Sequence, residues 1–180
     1  MEKENRYSDK TRAFRLIREA IPYLIIVLVV VLVRTFLATP VRVNGESMSP
    51  YLKENDILLL NKLDKSYDRF DIVVIGINGT KIIKRIIGLP RETVAYRNCK
   101  LYINDEEVDD FVKDCTTRDF SLSELYDYLM IPDDYYFVMG DNRDNSSDSR
   151  DYRVGLIHKS QIEGTVSLRL FPFDKIGKLK

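Results

Sequence analysis

The chain has 180 residues, and its 28 Lys plus Arg balance 28 Asp plus Glu, so the net charge is zero. That balance argues against a nucleic-acid binder, which carries a basic excess. Two Cys and one His fall short of a four-ligand Cys/His zinc site, while a hydrophobic content of 44% leaves material for one core besides an apolar anchor.

Residues 1–19 are polar and basic, with Lys3, Arg6, Lys10, Arg12, Arg15 and Arg18. Ile21 to Val33 then runs thirteen residues without a charge, and after Arg34 the apolar run resumes through Ala38, eighteen residues in all. That is the lower edge of a membrane-spanning helix, and the long stem of Arg34 can carry its charge back to the interface. The run is dense in β-branched residues, lacks an Ala-x-Ala cleavage site and has Pro40 just beyond it. It therefore reads as a retained anchor over residues 20–38, in preference to a buried soluble helix or a cleaved signal peptide. Only Arg42 and Lys53 follow closely. The positive-inside bias puts residues 1–19 in the cytoplasm and 39–180 outside.

Past residue 40 the pattern is one of short strands and turns. Val41–Val43 and Ile57–Leu60 read as strands. Asp71–Ile77 and Thr80–Ile87 flank Asn78-Gly79, the strongest short-range hairpin signal because both turn residues tolerate positive φ. Leu101–Ile103 and Glu107–Val108 flank a second, acidic turn. Ser121 and Glu124 form a capping box ahead of Leu125 and Leu129, predicting the one short helix. Tyr135–Met139 and Thr165–Leu170 close the set. The expectation is a mainly β catalytic domain over residues 39–180.

Three stretches can carry chemistry. In Gly45-Glu46-Ser47-Met48-Ser49-Pro50 a serine between Gly and Pro sits on a turn with its hydroxyl presented. Ser47 is the candidate nucleophile, Ser49 competes within the same turn, and capping is the bland role for either. In the second hairpin strand, alternation puts Ile82, Lys84 and Ile86 on one face. A lysine among isoleucines is desolvated, which favours the neutral amine. At an ordinary pKa of about 10.4 only about one lysine in a thousand is neutral near pH 7.5. A fall of two to three pH units raises that to about a quarter, enough for a general base. The bland role here is an edge-strand lysine that blocks sheet aggregation. Third, Gly140 to Arg150 (GDNRDNSSDSR) is dense in short polar side chains. It fails the EF-hand template, with Arg143, Ser146 and Tyr152 at the third, sixth and twelfth positions. It reads either as a solvated loop or as a satisfied polar network beside a site. His158, the lone imidazole, has nothing that places it near Ser47.

Together these stretches resemble the bacterial type I signal peptidases of the branch with one N-terminal anchor. VNGESMSPYL is similar to the family's nucleophile box, NDILLLNK to the next, and RFDIVVI with IIKRIIGLP to the lysine box. GDNRDNSSDSR resembles the most diagnostic box, and FPFDKIG the C-terminal end. The resemblance implies a signal-peptidase-like β-sheet domain with Ser47 as nucleophile and Lys84 as base. It implies that Ser146 orients the Lys84 amine. Asp141 pairing with Arg85, and Asp148 with Arg150, are the implied structural supports. The oxyanion neighbourhood falls on Gly45 and Met48; where some members carry a hydroxyl two residues before the nucleophile, this chain has Gly45, so backbone N–H groups must serve.

The implied reaction is removal of signal peptides after small residues (Ala-x-Ala) through an acyl-enzyme, with no metal or other cofactor. The implied partners are preprotein signal peptides emerging from the export machinery and membrane lipid, with no nucleic acid. Departures from the family pattern are Tyr51 for a common Thr, Asn55 for a common Gly, and Pro90-Arg91-Glu92 for Pro-Gly-Asp. Two rivals remain: a self-cleaving Ser-Lys repressor, which would need a DNA-binding N-terminus, and an anchored, non-catalytic β domain. Eight residues separate Ala38 from Ser47, at most about 30 Å of chain, which keeps the nucleophile near the membrane. In the outer compartment Cys99 and Cys115 either stay free or pair; a disulfide closing that loop is worth roughly 3 kcal/mol in the loop-entropy treatment.

Overall fold

The computed structural model describes residues 2–77, 79–113, 115–127 and 129–179, with side chains from Arg15 onward apart from Ile17. The chain divides into two units, residues 1–38 and 39–180.

The first unit is helix α1 (Glu2–Leu32), which passes into a π-helical turn, Val33–Leu37. The helix begins well before the apolar run, so the basic positions lie on the same continuous helix. The stretch Arg18–Leu37 is long and apolar enough to cross a membrane. All of its side chains from Ile21 to Leu37 are exposed. A soluble helix has to bury one face against a core, whereas a helix in lipid needs only its own backbone hydrogen bonds.

The second unit is mainly β, as the sequence leads one to expect. In chain order its elements are β1 (Ala38–Arg42), β2 (Ile57–Asn61), β3 (Ile72–Ile77), β4 (Thr80–Gly88), β5 (Val94–Arg97) and β6 (Lys100–Ile103). Then come β7 (Glu106–Val108), β8 (Phe120–Ser121), α2 (Leu122–Leu125), β9 (Tyr135–Met139), β10 (Ile157–His158), β11 (Ile162–Phe171) and β12 (Gly177–Lys178). The large sheet has the order β1-β2-β11-β3-β4-β9-β10, with β12 added beside β11; the small sheet runs β7-β6-β5-β8.

Turn chemistry sets these registers. Ile77 lies opposite Thr80, which leaves a two-residue turn in which Gly79 has φ of +79°. Asn78 lies outside the described residues. In the small sheet, Asn98-Cys99 and Asn104-Asp105 close two-residue turns with both residues at positive φ. This is the hairpin geometry that follows the right-handed twist of the strands. The capping box at Ser121 and Glu124 is present, but α2 stops at Leu125, because Tyr126 is extended, and it does not reach Leu129.

Three apolar clusters hold the unit together. One joins the small sheet to β4 and β9 through Ile87, Phe137 and Met139. A second lies under the β1–β2 connection and holds Met48, Leu52, Ile72 and Val74, with Ile83 packed against it. A third contains Val73, Ile86, Val138 and Ile162, with Ile82 alongside. The two faces of β4 thus pack against different clusters, and the charged residues between its isoleucines are carried inward with them.

Candidate active site

The turn that carries Ser47 is fastened at both ends. At its base, the Val43 N–H donates to the Asp56 carbonyl and the Asn55 N–H to the Val43 carbonyl, each at 2.9 Å. Beyond it, Met48 and Leu52 are fully buried, and a single helical turn links them by a 2.8 Å bond from Leu52 N–H to Met48 O. Burying one such side chain contributes about 1.5–3 kcal/mol, enough to fix the residue beside it. Gly45, with φ of +85°, lets the chain double back into the turn. Ser47 itself is half-buried. Among the described residues its amide donates to no acceptor, which leaves that N–H free for an oxyanion.

Lys84 and Arg85 follow each other on β4 and point to opposite faces, and both are buried, at 3% and 0% exposure. The Arg85 guanidinium donates to both oxygens of Asp141, at 2.8 and 2.7 Å, and to the Phe70 carbonyl at 2.8 Å. The Lys84 amine makes no hydrogen bond or ion pair among the described residues. Burial pulls its pKa down to about 8; Asp148 and Asp141 act against that fall and Arg150 adds to it. With a pKa of 8, about a quarter of the amines are neutral near pH 7.5.

The polar loop converges on these two residues at Gly140. β4 and β9 pair with Arg85 opposite Met139 and Ile86 opposite Val138. Lys84 immediately precedes Arg85 on β4, and Gly140 immediately follows Met139, the last residue of β9. A Cβ on Gly140 would overlap the Ser146 hydroxyl and the Ser47 carbonyl, so only glycine admits this approach. The Asn142 N–H donates to the Ser47 carbonyl at 3.0 Å, and its side-chain amide donates to the Glu46 carbonyl at 3.1 Å. Ser47, rather than Ser49, is the serine of the turn that the loop grips. Ser146 Oγ is buried without a well-formed hydrogen bond, yet lies near enough to Asp148 to favour its ionised form.

Asp148 is the loop's internal anchor. It accepts from Gly140 N–H at 2.9 Å and pairs with Arg150 through two 2.8 Å bonds. Burial alone would raise its pKa; the Arg150 guanidinium and the Gly140 N–H outweigh burial and hold it below the usual carboxylate value.

One member of this network carried no expected role. Arg143 is buried and donates to Tyr96 Oη at 2.6 Å, to Thr117 Oγ1 at 3.1 Å and to Asp110 Oδ1 at 3.0 Å. Only its place within the polar box signalled it in the sequence. His158 is remote from this network: it caps a short turn by accepting from Ser160 N–H and packs edge-on against Tyr135. Cys99 and Cys115 are joined as a disulfide.

The departures from the family pattern have local reasons. Asn55 and Arg91 both stand at positive φ, +72° and +67°, where glycine is the unstrained choice. Asn55 Oδ1 accepts from the Arg42 guanidinium, and Arg91 pairs with Asp133 at 2.6 Å. Glu92 reaches Leu89 N–H and Arg69, each at 2.7 Å, closing the turn after β4.

A cleft of 520 Å³ beside the nucleophile turn is lined by Val41, Arg42 and Asn44 on one side and by Thr80, Lys81 and Ile83 on the other. β1 ends the sheet, and β9 pairs with β4 only from Arg85 onward. Two unpaired strand edges therefore border the cleft.

The chain is similar to known proteins over most of its length. The family model described as "Signal peptidase, peptidase S26" matches residues 16–171. Signal peptidase I of Bacillus amyloliquefaciens is 41% identical over 165 residues, covering 87% of this chain and 89% of the relative. Signal peptidase I P of Bacillus subtilis subsp. natto is 41% identical over 169 residues, covering 87% and 90%. The crystal structure of a signal peptidase I from Enterococcus faecalis is 37% identical and aligns with a TM-score of 0.51, covering 56% of this chain and 96% of that one.

Proposed function

The chain belongs to the signal peptidase family, peptidase S26, as a membrane-anchored peptidase of the signal peptidase I kind, and we propose that it works through a Ser47–Lys84 dyad. The observation that carries this reading is the junction at Gly140. There the Ser47 carbonyl and the Ser146 hydroxyl close on Gly140, the residue after the β9 partner of Arg85, and beside Arg85 stands Lys84, whose buried amine has a pKa of about 8.

In the proposed reaction Ser47 Oγ attacks the scissile carbonyl while neutral Lys84 takes its proton. The oxyanion is met by the Ser47 N–H, since Gly45 offers no hydroxyl. Lys84 then protonates the leaving amine, an ester to Ser47 remains, and a water deprotonated by Lys84 releases the acyl product. Ser146 orients the amine, while the Arg85–Asp141 and Arg150–Asp148 pairs hold the backbone around it.

The substrate is an extended signal peptide lying between β1 and the free half of β4, where it completes both unpaired edges. In an extended chain the first and third residues before the scissile bond point to the same side. An Ala-x-Ala preference is what two shallow pockets on that side would select. The N-terminus lies in the cytoplasm and the β unit on the outer face, in accord with the basic N-terminal segment.

The test uses the full-length chain in detergent and a preprotein bearing Ala-x-Ala. Ser47→Ala and Lys84→Ala should each lower cleavage by at least about 10³-fold, the scale of losing a nucleophile or its base. Undiminished cleavage by either variant would remove the dyad.

A further inference from the structure

Nothing in the sequence marks the stretch between β7 and β8 as functional, yet it meets two arginines of the site, Arg143 of the polar loop and Arg85 of β4. Asp110, which is buried, receives the Arg143 guanidinium at 3.0 Å, and Thr117 Oγ1 accepts from the same group at 3.1 Å. One residue on from Asp110, the Phe111 ring lies with its centroid 3.5 Å from the Arg85 guanidinium carbon. Phe111 also meets Tyr51, two residues beyond the Ser49 of the nucleophile turn, edge to face at 4.9 Å. The stretch is itself tied down. Cys115 is bonded to Cys99 in the β5–β6 turn, and Asp119 accepts from Asn98 N–H in that same turn at 2.9 Å.

The two arginines have matching positions in the site. Arg85 holds Asp141, and Arg143 lies two residues further along the same loop. Between them stands Asn142, whose N–H holds the Ser47 carbonyl. The loop is therefore held on both sides of its contact with the nucleophile turn, and this one disulfide-tied stretch touches both arginines, Arg143 by hydrogen bonds and Arg85 through the Phe111 ring.

We propose that the Asp110 and Phe111 stretch, fastened by the Cys99–Cys115 disulfide, is a positioning clamp. Asp110 acts through Arg143, and Phe111 through Arg85, to keep the Gly140–Ser146 loop in register with Ser47 and Lys84. The proposal rests on the catalytic reading above. Both are positioning residues: release of the clamp moves Ser146 and Gly140 away from Lys84 and lets water reach the amine. That lowers turnover and leaves the substrate cleft between β1 and β4 in place. A disulfide that served only as a staple would change stability and nothing else.

Dithiothreitol supplies the simplest test. Two electrons and two protons pass from the dithiol to the S–S bond, leaving two protein thiols and the cyclic disulfide of the reagent. Oxidised and reduced full-length protein are compared in detergent, at a temperature where their circular dichroism coincides. The readouts are kcat and KM on an Ala-x-Ala preprotein, and the titration of the Lys84 13Cε signal, assigned with Lys84→Arg. The charged neighbours of that amine are Asp148, Arg150 and Asp141, and reduction of the disulfide changes the charge of none of them.

Reduction should lower kcat about 10-fold with KM held within about two-fold, the behaviour of a misplaced rather than an unbound substrate. The Lys84 titration should move from about 8 towards its ordinary 10.5. Phe111→Ala should do the same in the oxidised protein, and Phe111→Tyr should restore both readouts. If Phe111→Ala does not fold, Asp110→Asn and the redox pair decide the matter. Unchanged kcat and an unchanged Lys84 titration on reduction would overturn the clamp, even with a lower melting temperature; so would a rise in KM alone. If the oxidised protein does not cleave the preprotein, it is the catalytic reading that fails, and the Lys84 titration still decides the clamp.

Discussion

On one face of β4 the Arg85 guanidinium is surrounded: Asp141 accepts from it twice, the Phe70 carbonyl once, and the Phe111 ring covers its plane. On the other face, one residue away, Lys84 is as deeply buried, and no acceptor among the described residues takes its amine. The side chains differ in what they can give up. A guanidinium stays charged at any working pH, so a buried one must be supplied with a counter-charge. An amine can shed its proton, so burial without a partner turns it into a base. The same strand thus makes one cation structural and leaves the next available for proton transfer.

The contrast can be broken most forcefully on the paired face. Arg85→Met strands the Asp141 carboxylate in the interior and should cost about 3–5 kcal/mol in denaturant unfolding. Adding Asp141→Leu to that variant should recover a large part of the loss, since two apolar groups leave no buried charge behind. A single variant as stable as the parent would show that the pair is dispensable.

The unpaired face predicts a dependence of the opposite kind on pH. The native pKa of Lys84 is depressed from 10.5 to about 8. Below pH 8 the native state must carry the buried charge, and the full penalty applies. Between 8 and 10.5 the native amine is neutral while the unfolded chain still binds the proton, so stability rises with pH across that window. The amplitude is about 3 kcal/mol. Lys84→Met should therefore be inactive yet more stable than the parent at pH 7, with the gap closing towards pH 10.5. Melting curves across that range would show it, and parallel curves for the two proteins would contradict it.

Gly140 tests how closely the two faces must be joined. Gly140→Ala pushes against the Ser47 carbonyl and the Ser146 hydroxyl, and kcat should fall by about 10²-fold, the effect of moving reacting groups by an ångström. The smallest effect belongs to the surface. Arg91 and Asp133 have the same guanidinium–carboxylate geometry as the buried pair, at 2.6 Å, but both are exposed. Arg91→Gly breaks that pair while relieving a positive φ, so the melting temperature should rise by no more than about 3 °C.

Much of this could be read in advance, for reasons that differ by element. The apolar run and the β3–β4 hairpin are written in local pattern, where composition and turn chemistry suffice. Ser47, Lys84 and Ser146 were weak as single residues and gained weight from the resemblance of the boxes around them. Isoleucine alternation put Lys84 on an apolar face, though not how deep that face lies. What stayed hidden joins distant segments. Arg143 meets Asp110 across 33 residues, and Phe111 meets Arg85 with no periodicity to announce it. The Asn98-Cys99 turn carries no such signal, because cysteine is not a residue one expects at positive φ. The end of the short helix at Leu125 is not written in its capping box, which specifies where a helix starts and says nothing of where tertiary packing ends it.

With Lys84 as base, the buried amine has a consequence for where such an enzyme can work. Solvent protons compete with the Ser47 hydroxyl proton for the same nitrogen and so act as an inhibitor of fixed affinity, half-saturating near pH 8. Each further unit of acidity in the surroundings removes about nine-tenths of the remaining competent molecules. Acidity around the β unit would therefore slow the proposed reaction directly, with no regulatory protein involved.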